Sequence, residues 1–150
     1  MATRKKSKSM QLTIRTLRPG WWDKDEVMLH AAFQLLADFV EQEHPDRHID
    51  WNHDALCRRA WKEIRALYRW WRAIRPSRSD PLDDKRIKKP ALRFKNMPGT
   101  KSKQLATPDR KKYAAYYRAL KKCGRLEQKW HDEDQRNLHR LVDIRDFLWT

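Results

Sequence analysis

The chain is short of glycine, with three in 150 residues, and short of cysteine, with two. Few glycines disfavour a turn-rich all-β fold, whose tight connections need residues free to take positive φ. Cys57 and Cys123 stand far apart and in no CxxC pattern. Their spacing suggests neither a disulfide framework nor a zinc knuckle, and two free thiols suit a reducing compartment. No apolar run approaches the ~20 residues needed to cross a bilayer. The opening MATRKKSKSM is basic, but no apolar stretch follows it, so no secretory leader is expected. These absences lead to the expectation of a soluble protein of the cytosol, or of the nucleus in a host that has one. Chemistry-bearing motifs are missing too: no Gly-rich phosphate loop, no GxSxG, no Cys/His nucleophile, and no pair of acids in an apolar setting. Neither a catalytic centre nor a cofactor is expected.

Two segments lack acids altogether. Residues 1–22 contain Arg4, Lys5, Lys6, Lys8, Arg15 and Arg18 and no Asp or Glu. Residues 85–107 contain Lys85, Arg86, Lys88, Lys89, Arg93, Lys95, Lys101 and Lys103, again with no acid. Together they hold fourteen of the fifteen excess positive charges. Solubility alone is served by mixed signs, whereas segregated charge is the usual layout of a polyanion binder. These two basic arms are therefore the first candidates for gripping nucleic-acid phosphates.

Hydrophobic residues make up 39% and charged residues 37%, so only part of the chain can enter a core. Eight tryptophans compensate with large packing area per residue. Residues 1–20 read as a basic N-terminal arm. Within it Met10–Leu17 alternates weakly through Leu12, Ile14 and Thr16, enough for a short strand that Pro19-Gly20 would stop. Residues 21–150 read as a single helical domain. Asp23 with Glu26 predicts a capping box, and Trp22 with Val27 a hydrophobic staple. Apolar positions from Val27 to Val40 then cover more than half a helix, marking it as the central one; Pro45 ends it. A second helix starts near Asn52 or Asp54 and runs to Arg75, before Pro76. Cys57, Trp61, Ile64, Leu67, Tyr68, Trp71 and Ile74 form its core stripe. Residues 76–107, with Pro76, Pro81, Pro90, Pro98 and Gly99, show no period and read as a long, basic, Pro-rich loop. Thr107-Pro108-Asp109 opens a last helix that runs toward Trp149, where Gly124 is a candidate bend. The expected fold is all-α: an antiparallel bundle of three main helices, with a basic N-terminal arm and a long basic loop between helices 2 and 3.

Arg58, Lys62, Arg65, Arg69 and Arg72 follow the core stripe of the second helix, shifted by one residue, or ~100°. Two readings stay open. Residues 23–54 hold nine acids and two cations, so the stripe can face the first helix; alternatively it extends the track for nucleic acid. Aromatic rings interleave with cations at Tyr68-Arg69-Trp70-Trp71-Arg72 and Arg93-Phe94-Lys95, a pattern that neutralises phosphates and stacks on bases. Trp70 lies off the core stripe and is, with Phe94, the best candidate for an exposed ring. Tyr68 and Trp71 are expected in the core.

Glu41 to Cys57 gathers His44, His48 and His53 with Asp46, Asp50 and Asp54. Imidazole with carboxylate suits a transition metal, and His48-Ile49-Asp50 with Asn52 echoes an HNH nuclease. The histidines, however, straddle a helix end, a proline and a turn, and the long spacings of that motif are missing. An interhelical turn with Asx capping is the plainer expectation, and no metal site is assigned. Glu127, His131 and Asp134 share one face of the last helix, and a polar patch is expected there. His30, inside the apolar first helix, is expected to be a hydrogen-bonded core histidine.

The stretches WWDKDEVMLHAAFQLLADFVEQE, EIRALYRWWRAIRPSRSDP and RLVDIRDFLWT resemble a group of small, functionally uncharacterised proteins encoded by tailed bacteriophages. The resemblance covers most of the first two helical blocks and the C-terminus, but not the basic stretches 1–15 and 85–107. It implies a phage gene product acting in the bacterial cytoplasm, and it carries no catalytic residues over. The composite expectation is a nucleic-acid-binding accessory protein, DNA or RNA, that works through phosphate contacts and is not an enzyme. Two rivals remain. One is a protein-interaction module that inhibits a host or defence protein or a nucleoprotein complex, or serves in the virion. The other is a metal-dependent nuclease built on His44, His48, Asp50 and His53.

Overall fold

The computed structural model describes residues 11–149. It is mainly helical: α1 (Lys24–Asp38), α2 (Ala55–Arg69) and α3 (Ala114–Asp143), with a two-stranded hairpin of β1 (Phe94–Asn96) and β2 (Lys103–Leu105). No described helix is long and apolar enough to cross a membrane. Contacts gather the described residues into two compact units, residues 11–77 with 133–149, and residues 78–132.

The first unit is built on α1, α2 and the end of α3. Leu29, Phe33, Leu36 and Phe39 from the α1 block meet Ala60, Ile64, Leu67, Trp70 and Trp71 from the α2 block, with Leu141 and Ile144 completing the core. Phe33 stacks on Trp71 with ring centroids 4.7 Å apart, and Trp51 stacks on Trp61 at 4.9 Å. Offset pairs of this kind add to area burial, which is how a chain with few apolar residues closes a core. Asp54 caps α2 by accepting from the Cys57 N–H. At α1 the expected capping box is not formed: Asp23 occupies the cap position, but its side chain makes no capping bond.

Both helices end in a π-helical turn, Phe39–Glu43 and Trp70–Ile74. A π turn holds an extra residue per turn and breaks the phase of the apolar stripe. Here Trp70 and Trp71 both turn inward, at 5% and 4% exposure, while Ile74 is turned out. The exposed Trp70 expected from the sequence is thus corrected: the indole is core, and helical phase failed because the helix widens just where the ring sits.

Segment 11–18 is irregular, with no strand at Leu12–Leu17. It lies along α1. The Arg15 N–H donates to Gln34 Oε1 (3.0 Å), the Arg15 guanidinium to Asp38 Oδ1 (2.7 Å), and Thr16 Oγ1 meets His30 Nδ1 (2.7 Å). His30 is the satisfied core histidine expected, edge-on to Trp71 and 3.3 Å from Glu26. Burial first, then the Arg75 charge, lower its pKa to about 4, with Asp134 opposing. Arg75 ties the unit together: it pairs with Asp134 at 3.1 Å, lies 3.8 Å from Glu26, and sits 5.0 Å over the Trp71 ring. Arg140 of α3 pairs with Glu63 of α2 at 2.8 Å.

In the second unit, Asp80 caps a short 3-10 turn at Pro81–Asp83 by accepting from Leu82 N–H. The first part of α3 buries Ala119 and Cys123. Burial first, then Asp80 and Glu127, push the Cys123 thiol up to about 11. The hairpin lies inside the segment expected to be a loop without regular structure. Its strands pair antiparallel in the register Phe94↔Leu105, Lys95↔Gln104, Asn96↔Lys103. Pro98-Gly99 forms the reversal: Gly99 has φ 72, and Thr100 N–H donates to Met97 O. Proline at the first central position and a glycine at positive φ at the second are what a type II turn demands.

Candidate nucleic-acid interface

The units differ sharply in charge. The described part of the first holds fourteen Lys and Arg against fourteen Asp and Glu. The second holds seventeen Lys and Arg against six acids, a net +11 in 55 residues. Excess positive charge thus resides in residues 78–132 and in Arg4, Lys5, Lys6 and Lys8, which lie outside the described residues.

Within the first unit several of the cations are committed to acids of the same unit. Arg15, expected on a free arm, pairs with Asp38 (2.7 Å) and Glu41 (3.6 Å). Arg72, expected on the α2 stripe, donates through Nε to Glu41 at 2.7 Å and through Nη2 to the same oxygen. Burial alone would raise the Glu41 carboxyl, but hydrogen bonds from Arg72 and Tyr68 and the charges of Arg72 and Arg15 hold it below the usual range. At its C-terminal end the α2 stripe therefore answers the acids of the α1 block. Arg58 donates to Asn52 O (3.0 Å), and Arg65 lies 5.6 Å over Trp61. Lys62, Arg69 and Arg18 are exposed and make no ion pair among the described residues.

Within the second unit the picture reverses. Lys85, Lys88, Lys89, Arg93, Lys95, Lys101 and Lys103 are all exposed and form no ion pair among the described residues. Arg86 is the exception: its guanidinium clasps Asp84 at 2.8 Å, and that hydrogen bond depresses the Asp84 carboxyl to about 2. Strand alternation sorts the hairpin into two faces. Phe94 and Leu105, 64% and 52% exposed, share one face with Asn96 and Lys103; Lys95 and Gln104, with Arg93 and Ala106 next along, share the other. Phe94 is accordingly the exposed ring among cations that Trp70 is not.

A further basic surface escaped the sequence reading. On α3, Arg118, Lys122, Arg125 and Lys129 recur at i, i+4, i+7 and i+11 with Lys121 beside them, and all five are exposed. That spacing is one helical face. Arg118 and Lys122 also line a recess of about 630 Å³ with Asp80, Asp83 and Asp84, which tempers those two; Lys121, Arg125 and Lys129 have no such neighbours in it. The periodicity was present in the sequence but masked by the denser run at 85–103.

Among the described residues no group of three His, Cys, Asp or Glu side chains is placed to hold a metal. His44, His48, Asp50 and His53 are not brought into such a site: His44 sits at positive φ at the end of the α1 block, and Asp50 accepts from the Asn52 N–H in an Asx turn. Glu127 instead accepts from Cys123 Sγ, and Asp134 holds Arg75. No protein-family model matches the chain, and neither a curated protein nor a solved structure matches it.

Proposed function

We propose that this protein binds nucleic acid, DNA or RNA, through the cationic surface of residues 78–132. The observation that carries the reading is the set of seven exposed cations on residues 85–103 that form no ion pair among the described residues, in a unit with a net +11 where the described part of the other unit has as many acids as cations. Exposed lysines and arginines release counterions when they meet phosphates, which gives affinity without sequence preference. Nothing in the hairpin presents a base-reading array, so weak selectivity is expected. The resemblance to tailed-phage proteins supports a phage-encoded accessory factor of the host cytoplasm, a setting in keeping with two unpaired cysteines. The bundle-like packing of the helices serves as scaffold in this reading, and no reaction is assigned. Fluorescence anisotropy with single-stranded and duplex DNA, RNA and heparin at low and moderate salt tests it. Tight, salt-sensitive binding to a nucleic acid is expected; equal weakness toward all of them at low salt ends it.

One observation favours a second reading. Trp21, Met28 and Leu35, spaced by seven, are 84%, 59% and 55% exposed on the first unit. Met28 and Leu35 share one face of α1 and Trp21 precedes the helix; exposed large apolar side chains are what a protein contact uses. A host or defence protein, a nucleoprotein complex or a virion component would dock there. Capture from nuclease-treated host lysate, lost in Trp21→Ala/Met28→Ala, separates this reading from the first.

A further inference from the structure

Residues 90–113 of the second unit enclose a recess of about 280 Å³ on one face of the hairpin. Its lining includes Arg93, Lys95 and Ala106, the residues that alternation places opposite the Phe94/Leu105 face, so both cations are on the recess side. Across from them stand Lys112 and Tyr113, with the Lys112 Nζ 5.5 Å over the Tyr113 ring. The one acid is Asp109, already engaged in accepting from the Lys112 N–H at 2.7 Å. Pro90 and Pro108 stiffen the walls, and the Pro108 carbonyl accepts from Tyr117 Oη.

From this geometry we infer that the recess is a seat for a nucleotidyl phosphate monoester, most simply the phosphorylated end of a single strand. The inference rests on the nucleic-acid reading above and narrows it. Three cations against one carboxylate leave a net +2, which complements the charge of about −1.5 to −2 of a phosphate monoester better than the single charge of a diester. A duplex is a stiff, wide cylinder that cannot enter a concavity of 280 Å³, whereas one terminal nucleotide can. Arg93 supplies the planar fork suited to phosphate oxygens, Lys95 and Lys112 supply point charges, and the Tyr113 ring offers a surface for the adjoining sugar or base. A free mononucleotide has the same chemistry, so the test must distinguish the two sources.

The full chain is titrated by anisotropy against one 12-nucleotide single strand, labelled at its 3′ end, carrying either a 5′ phosphate or a 5′ hydroxyl. The phosphorylated strand should bind about tenfold more tightly, the effect of one added charge-assisted contact. That preference should vanish in Arg93→Ala/Lys95→Ala and persist in Lys101→Ala/Lys103→Ala, whose cations lie outside the recess lining. Equal affinity for both ends, with salt-sensitive binding intact, overturns the recess and leaves the nucleic-acid reading standing. If neither strand binds, that reading fails, and amide shifts of Lys112 and Tyr113 on adding uridine 5′-monophosphate then decide. Shifts absent with uridine assign the recess to free nucleotide; no shifts overturn it.

Discussion

The proposed interface makes a quantitative demand on salt dependence that separates its cations from others in the same chain. Each phosphate neutralised contributes about −0.7 to −0.9 to the slope of log K against log salt, the smaller value for single strands. If all seven unpaired cations of residues 85–103 meet phosphates, the slope is about −5 on a single strand and about −6 on duplex DNA. Lys101→Gln/Lys103→Gln removes two of them at the tip of the hairpin, where neither side chain has an ion-pair partner among the described residues. The slope should become shallower by about 1.4 to 1.8, so that the advantage of the parent chain shrinks about tenfold between 50 and 200 mM salt. Arg15→Gln/Arg72→Gln removes the same charge from sites where Asp38 and Glu41 already neutralise it. That variant should keep the parent slope. Anisotropy over five salt concentrations, with folding checked by circular dichroism, measures both. A slope that falls equally in the two variants would refute the argument, because net charge rather than unpaired local charge would then set the binding.

Other perturbations test the scaffold. His30 is neutral in both folded and unfolded chains above pH 6.5; below it the unfolded chain takes a proton that the buried ring refuses until about pH 4. Stability should therefore fall as pH drops through that window, by at most about 3 kcal/mol with Asp134 opposing the shift, and urea melts of His30→Gln should show a flatter pH profile there. Trp70→Ala should cost about 3 to 5 kcal/mol in the same assay, while Phe94→Ala should change stability by no more than about 0.5 kcal/mol; a reversal would mean the two rings are misplaced. Gly99→Ala puts a Cβ at φ 72 and should destabilise the hairpin by about 1 kcal/mol, read as faster amide exchange at Thr100 and Ala106 with no change at Ile64.

The three helices were legible because their signals are local. Asp54 caps where a cap was expected, and Leu29, Phe33, Leu36, Ile64 and Leu67 fall where a period near 3.6 places buried positions. What failed depends on contacts between distant residues or on departures from ideal geometry. The π turn at Trp70 shifts helical phase, and no propensity marks it. Whether Arg15 is free cannot be read locally, because its partners Asp38 and Glu41 are on another element. The hairpin escaped because strands of three residues carry too few positions to show a period, although Pro98-Gly99 between two short polar-apolar runs was its available signal. His30 was legible for a different reason: a single imidazole in an apolar helix must find partners. Thr16 Oγ1 meets its Nδ1 at 2.7 Å, and Glu26 lies 3.3 Å from its Nε2.

The charge balance of the two units bears on why the basic residues are where they are. A surplus of like charge raises the free energy of a compact state through self-repulsion. The first unit avoids this by matching cations to acids, often through geometry: Arg72 and Arg15 share Glu41, Arg75 joins Asp134 and Glu26, and Arg140 reaches Glu63. The same chain has acids within the second unit, yet Asp80 and Asp109 are spent on capping backbone N–H groups, and Asp84 on Arg86. The cations of residues 85–103 other than Arg86, and Lys121, Arg125 and Lys129 on α3, are left without an ion pair among the described residues. Such an arrangement keeps a standing repulsion that an external polyanion would relieve, so ligand should stabilise the second unit more than the first. Amide exchange with and without a single strand would show protection growing at Met97 and Ala106 while Ile64 and Leu67 stay unchanged. Uniform protection in both units would argue that binding is spread over the whole surface and that the partition of charge has no part in it.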